Sequence, residues 1–156
     1  MQEKVVYLTP EGKQRFAEEL HELLTVKRHQ VEEQIRRAKE FADTVDNAEY
    51  DEAKQEQAFV EGRIQELERL LSAAKVIEEP ATKSDYVRMG SHIKVGDADG
   101  EEETYYLVGS HEADPRRGLV SNESPIGRAL IGKRVGDEVT VVAPAGSFNL
   151  KILEIS

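Results

Sequence analysis

The stretch that decides the fold is residues 9–41, which read TPEGKQRFAEELHELLTVKRHQVEEQIRRAKEF. Thr9 can cap a helix, and Pro10 suits the first helical position because a missing N–H costs nothing there. Apolar residues then recur at steps of three, four and seven, the spacing of a coiled-coil seam. Its members are Phe16, Leu20, Leu23, Leu24, Val31, Ile35, Ala38 and Phe41, and Lys27 interrupts the series. This pattern predicts a long amphipathic helix.

A second apolar series with the same period follows along the chain. It comprises Ala53, Val60, Ile64, Leu67, Leu71 and Ala74. Residues 42–47, which separate the two series, are rich in poor helix formers. Two amphipathic runs joined by a short polar break predict an antiparallel helical hairpin, and we assign it to residues 1–78. Because two helices alone bury little surface, we expect the hairpin to protrude as a rod.

The pattern changes in the second half of the chain. Residues 78–85 form a polar linker that contains Pro80, and short β-prone runs follow at 91–95, 104–108, 139–142 and 148–155. One short helix fits residues 125–131, with Ser124 as its cap and Gly132 as its stop. We therefore predict an α+β fold, with a small antiparallel sheet domain over residues 79–156.

Composition narrows the class of protein. The chain has 156 residues, 21 basic and 31 acidic side chains, a net charge of -10 and no cysteine. Such an acidic chain does not coat nucleic acid by itself, since phosphate neutralisation needs clustered cations. Disulfides, thiolate metal sites and cysteine nucleophiles are excluded, and the composition fits a reducing compartment such as the cytoplasm. No apolar run approaches the roughly 20 residues that a membrane-spanning helix needs.

The densest chemical signal lies at the predicted hairpin tip, where six carboxylates fall within 13 residues: Glu40, Asp43, Asp46, Glu49, Asp51 and Glu52. Asp43 and Asp46 are three residues apart at the turn itself. Two carboxylates this close can share a hard cation such as Mg²⁺, which prefers oxygen ligands. From spacing alone, a solvated acidic turn is the more common outcome.

The remaining polar clusters favour structural interpretations. The four histidines form no pair at metal-ligand spacing. Residues 97–100 resemble the start of a calcium loop, but the twelfth position is Val108 rather than an acid, so we predict a hairpin turn. The hairpin's basic residues are interleaved with acids, which favours surface salt bridges over contact with a nucleic-acid backbone. They are Lys27, Arg28, Arg36, Arg37, Lys39 and Lys54.

Four sequence motifs, in order along both halves, carry a resemblance to a known family. They read YLTPEG at 7–12, NAEYDEAK at 47–54, EGRI at 61–64 and SPIGRALIGK at 124–133. The chain resembles the bacterial Gre transcript-cleavage factors of the GreA type. The resemblance implies a coiled-coil hairpin followed by an FKBP-like domain.

The resemblance also implies a function. In that family the C-terminal domain docks at the rim of the RNA polymerase secondary channel, and the acidic tip helps the polymerase cleave the 3′ end of backtracked RNA. Asp43 and Asp46 would hold a second Mg²⁺ as the catalytic pair, and Lys54 would contact the RNA 3′ segment. Glu123, Ser124 and Pro125 match the docking loop. By this resemblance the protein is a monomeric cofactor of RNA polymerase, not an enzyme by itself and not bound to a membrane.

The tip departs from the family pattern Gly-Asp-Leu-x-Glu at three positions, where this chain has Ala42, Thr44 and Asp46. Some relatives with altered acidic tips inhibit the polymerase instead of promoting cleavage, so a channel-binding inhibitor with little cleavage activity stays as the alternative. A free-standing prolyl isomerase of the FKBP type is a weaker third hypothesis. It would need an aromatic-lined pocket, for which the second half offers only Tyr86, Tyr105, Tyr106 and Phe148.

Overall fold

The computed structural model describes residues 5–40, 47–78 and 85–156. The chain forms two compact units: the first contains Lys13–Ala74, and the second contains Val5–Gly12 together with Lys75–Ser156. The helices of the hairpin are α1 (Pro10–Glu22), a π-helical turn (Leu23–Lys27), α2 (Arg28–Glu40) and α3 (Ala48–Ala73).

The hairpin core lies between α2 and α3. Val31 and Ile35 of α2 pack with Ala53, Val60 and Ile64 of α3, and all five side chains are buried. The helices run antiparallel, because the last turn of α2 meets the first residues of α3 and Glu19 meets Arg63. The predicted hairpin is confirmed. Most of the predicted seam is confirmed too, but Leu70 is buried where Leu71 was predicted, and Phe41 lies outside the described residues.

The predicted continuous helix is interrupted at Leu23–Lys27, where the backbone forms a π-helix. The N–H of Arg28 donates to the carbonyl of Leu23, five residues back. A π-turn absorbs one extra residue. The apolar stripe can therefore pass the interruption at Lys27 and again face α3 at Val31 and Ile35.

The ends of the first half are strands and not helix, which corrects the prediction of helix throughout residues 1–78. Strand β1 (Val6–Leu8) pairs with β2 (Ala74–Val76), and the N–H of Ile77 donates to the carbonyl of Leu8 at 2.7 Å. Ala74, placed in the helical series above, belongs to β2. Three-residue strands carry too few alternations for a period of two to be recognised.

The second unit is built on a five-stranded sheet in the order β5-β4-β3-β7-β6. Its elements are β3 (His92–Gly96), β4 (Glu102–Val108), β5 (Leu119–Ser121), α4 (Pro125–Leu130), β6 (Glu138–Ala143) and β7 (Gly146–Ile155). The predicted short helix and the four predicted strands are present, with bounds shifted by a few residues. The strand β5 was not predicted, and it pairs in parallel with β4, whereas the other pairs are antiparallel as expected.

The core of the second unit lies between the sheet and α4. Leu130 of α4 and the strand residues Ile93, Leu107, Val141 and Ile152 are fully buried. The predicted hairpin turn between β3 and β4 is confirmed: the Asp97 carboxylate accepts from the N–H groups of Asp99 and Glu101, both at 2.9 Å. Among the described residues, no helix is both long enough and apolar enough to cross a membrane.

Candidate functional site

The predicted metal-binding pair, Asp43 and Asp46, lies outside the described residues. The residues on either side are described. Helix α2 ends at Glu40, and Asn47 caps α3 by accepting from the N–H of Tyr50 at 3.1 Å. In the sequence, both aspartates therefore follow the end of α2 and precede the cap of α3.

Three of the other four tip carboxylates, those of Glu40, Glu49 and Asp51, have structural roles. Glu49 and Asp51 lie in the first turn of α3, where the helix dipole stabilises negative side chains. Glu52 follows them and is exposed. The carboxylate of Glu40 pairs with Arg36 at 2.6 Å. No group of three acidic or histidine side chains that could hold a metal occurs within the described ranges. The metal prediction therefore depends on Asp43 and Asp46.

Most basic residues of the hairpin form ion pairs, which confirms the salt-bridge interpretation for them. Arg28 bonds both oxygens of Glu61 at 2.8 Å across the two helices, and this carboxylate raises the pKa of the guanidinium. Arg36 pairs with Glu33 and Glu40 on its own helix. Further pairs are Arg37 with Glu33 at 3.4 Å and Lys27 with Glu56 at 4.0 Å.

Lys54, the predicted RNA-contact residue, differs from these arginines. It lies on the exposed surface of α3, and its ammonium donates to the neutral amide oxygen of Gln57 at 3.1 Å. A hydrogen bond to a neutral acceptor leaves the positive charge uncompensated by that partner. Lys54 can therefore attract a phosphate near the hairpin end.

The predicted docking residues lie together at the start of α4. Ser124 caps the helix, since its hydroxyl accepts from the N–H of Gly127 at 3.1 Å, and Pro125 is exposed at the first helical position. The Glu123 carboxylate is half-buried and accepts from the Ser110 hydroxyl at 3.1 Å. The three residues thus present a fixed carboxylate beside a rigid ring.

Gly127 holds this loop in place, a role that we did not predict. A Cβ at Gly127 would lie 1.9 Å from the carbonyl oxygen of Ser121, whose other contacts are with the Ser124 hydroxyl and N–H. Only a glycine lets the turn of α4 approach that backbone so closely. The glycine at the third position of the Pro-Ile-Gly sequence was the one sign of this close approach that the motif contained.

A second unpredicted contact anchors the start of α1. The Glu112 carboxylate accepts from both the N–H and the hydroxyl of Thr9, at 2.7 and 2.5 Å, and the hydroxyl in turn accepts from the N–H of Gly12 at 3.0 Å. Thr9 is buried. A Cβ on Gly12 would fall 2.0 Å from the same carboxylate. Thr9 is therefore the predicted cap, and a distant glutamate orients it.

Replacing Glu112 with alanine should destabilise the second unit, since the buried N–H and hydroxyl of Thr9 lose their acceptor. We expect a loss of about 1–3 kcal/mol in the free energy of unfolding. Urea unfolding followed by circular dichroism measures it. Glu101→Ala removes the same charge from an exposed turn and serves as the control. Equal unfolding midpoints for the two variants would contradict this role for Glu112.

The four aromatic residues proposed for an isomerase pocket do not line one pocket. Tyr105 and Tyr106 are neighbours on β4, so their side chains point to opposite faces of the sheet. Tyr105 packs on the core, and burial together with Glu103 raises its pKa to about 12. Tyr106 stacks on His92 at 4.2 Å between ring centroids. This arrangement disfavours the prolyl isomerase hypothesis.

The fold and these sites define a class of two-unit proteins. One unit is an antiparallel helical hairpin whose helices are joined by a segment that carries two aspartates, and the other is an α+β unit built on a five-stranded sheet. Comparison with known proteins identifies the family. The family described as "Transcription elongation factor, N-terminal" matches residues 6–76, and "Transcription elongation factor, GreA/GreB, C-term" matches residues 81–156. The chain belongs to the GreA/GreB family of transcription elongation factors.

Curated relatives agree over the whole length. The "Transcription elongation factor GreA" of Bacillus licheniformis is 51% identical over 156 residues, covering 99% of both chains. The protein of that name from Thermoanaerobacter pseudethanolicus is 55% identical over 153 residues, covering 97% of this chain and 98% of its own. Among solved structures, Gfh1 of Thermus thermophilus is 29% identical with a TM-score of 0.45, covering 98% of this chain and 99% of its own.

Proposed function

We propose that this factor enters the RNA polymerase secondary channel and stimulates cleavage of the 3′ end of backtracked RNA. The observation that carries the proposal is the pair of acids Asp43 and Asp46, which the sequence places between α2 and α3 of a chain that belongs to the GreA/GreB family. The hairpin can act by bringing those carboxylates into the site of another enzyme.

Each element has a task in this proposal. Glu123, Ser124 and Pro125 dock on the rim of the channel, and the hairpin carries the tip inward. Asp43 and Asp46 supply oxygen ligands, while Lys54 steers the RNA backbone by its charge. A Mg²⁺ bound there would lower the pKa of an attacking water and stabilise charge on the phosphate.

The carboxylates of Asp43 and Asp46 are suitable ligands for Mg²⁺, but two of them are too few to bind it tightly. Carboxylate oxygens are the ligands that this hard cation prefers. Two of them leave an octahedral shell incomplete. Within the described residues, no group of three acidic, histidine or cysteine side chains could hold a metal by itself. The remaining ligands would come from the polymerase, the RNA and water, so the factor alone should bind Mg²⁺ weakly.

A channel-binding inhibitor is the second candidate function, and one observation favours it. The chain has Ala42, Thr44 and Asp46 where the family pattern has glycine, leucine and glutamate. Asp46 is one methylene shorter than glutamate, so its carboxylate reaches less far. An alanine also restricts the backbone more than glycine does.

A transcript-cleavage assay with a stalled, backtracked elongation complex of the cognate polymerase separates the two functions. Stimulated release of short 3′ RNA fragments supports the proposal. Inhibition of elongation without cleavage supports the second candidate. Failure of the factor to bind the polymerase would reject both.

We expect the purified protein alone to have no nuclease activity, because two carboxylates do not complete the coordination shell of a metal. RNA incubated with the protein and millimolar Mg²⁺ should stay intact on a denaturing gel. Preparations of Asp43→Asn provide the control for contaminating nucleases. Hydrolysis by the wild type that disappears in Asp43→Asn would contradict this expectation.

A further inference from the structure

The side chain of Asn47 bonds to both helices of the hairpin at once. Its amide oxygen accepts from the N–H of Tyr50 at 3.1 Å, and its amide nitrogen donates to the carbonyl of Ala38 at 2.9 Å. Tyr50 belongs to α3 and Ala38 to the last turn of α2. One side chain therefore links the end of one helix to the beginning of the next.

Both partners are backbone groups that a helix leaves unpaired. The first four N–H groups and the last four carbonyls of an α-helix have no partner within the helix. The Tyr50 N–H is among the former and the Ala38 carbonyl among the latter. Asn47 satisfies one of each, so separating the helix ends would break a hydrogen bond on one side or the other.

Few side chains can make this pair of bonds. Asparagine has an acceptor oxygen and a donor nitrogen on one short stem. Aspartate can accept from Tyr50 but has no N–H for Ala38 when it is ionised. Serine can cap α3 through its hydroxyl oxygen. It has no second polar atom that could donate to Ala38 at the same time, whereas the amide of asparagine has both an oxygen and a nitrogen. The bond to Ala38 is therefore specific to the amide, whereas the cap is not.

We propose that Asn47 is a positioning residue that sets the separation of the two helix ends from which the Asp43–Asp46 segment runs. Its effect on cleavage rests on the proposed function, while its effect on the helix ends does not. A shared metal ion needs its two carboxylates at a fixed spacing, and loosening the groups that orient metal ligands typically costs 10–100-fold in affinity or activity. Asn47 contributes no ligand itself.

The test uses two variants that keep the cap and lose the bond to Ala38, Asn47→Ser and Asn47→Asp. One is neutral and the other is charged, so agreement between them excludes an effect of charge. Spin labels on cysteines introduced at Lys39 and Gln55, both exposed, report the distance between α2 and α3 in the full chain. The chain has no native cysteine to remove.

We expect a broader label distance distribution in both variants than in the wild type, with unfolding midpoints little changed. We also expect about ten-fold slower stimulated cleavage at limiting Mg²⁺, partly restored at high Mg²⁺, and unchanged binding to the polymerase. Unchanged distance distributions would overturn the proposal, as would wild-type Mg²⁺ dependence in variants with broadened distributions. If the wild type stimulates no cleavage, the proposed function fails, and the label distances alone decide whether Asn47 holds the helix ends.

Discussion

Replacing Asp43 or Asp46 with asparagine is expected to reduce stimulated RNA cleavage on the order of 100-fold, the loss typical for removing one group that stabilises charge in a transition state. An asparagine keeps the shape of the side chain but removes the charge that holds a cation. Because we propose that the two residues serve one site, the double variant should be little worse than either single variant. Cleavage rates at several Mg²⁺ concentrations measure these losses.

Polymerase binding provides the control for these variants. Because we place docking on α4, both asparagine variants should bind the elongation complex as the wild type does. Asp46→Glu restores the longer family side chain and should preserve or raise activity. If the wild type is inactive and Asp46→Glu cleaves, the inhibitor function is correct. If the asparagine variants cleave as fast as the wild type, the tip does not act through a metal.

The long elements of this fold could be predicted because their periodic signals are long. The helical seam repeats over many turns, so α2 and α3 are recognisable, and the caps at Thr9 and Ser124 are local side-chain signals. Strands β1, β2 and β5 have three residues each, and β1 and β2 pair although they lie far apart in the sequence. No local pattern encodes such contacts.

The candidate site was likewise predictable only in part from the sequence. The acidic tip, Lys54 and the docking loop are visible as residue types in motifs. The contacts that position the site are not, because they are tertiary. Glu112 bonds to Thr9, which lies 103 residues away in the sequence, and no local sequence pattern predicts this contact. Asn47 stood within a recognised motif, but its bond to Ala38 depends on the helices folding back on each other.

Glu123→Lys should weaken binding to RNA polymerase by about ten-fold or more, which corresponds to about 1.4 kcal/mol. The carboxylate accepts a hydrogen bond from Ser110 beside the cap of α4, which restricts it before binding and lowers the entropy that docking costs. Reversing a charge that faces a complementary partner replaces attraction with repulsion, which costs several kcal/mol in favourable cases. Affinity is measured by competition for the elongation complex at physiological salt.

Three further variants separate the causes of that loss. Glu138→Lys makes the same change in net charge at an exposed site at the start of β6, and it should bind as the wild type does. Glu123→Gln keeps an acceptor for Ser110 without the charge, so it should lie between the wild type and Glu123→Lys. Ser110→Ala keeps the charge but removes one hydrogen bond to the carboxylate, and its loss of affinity should be small. Equal affinity of Glu123→Lys and Glu138→Lys would remove Glu123 from the docking surface, since the total charge would then account for any effect.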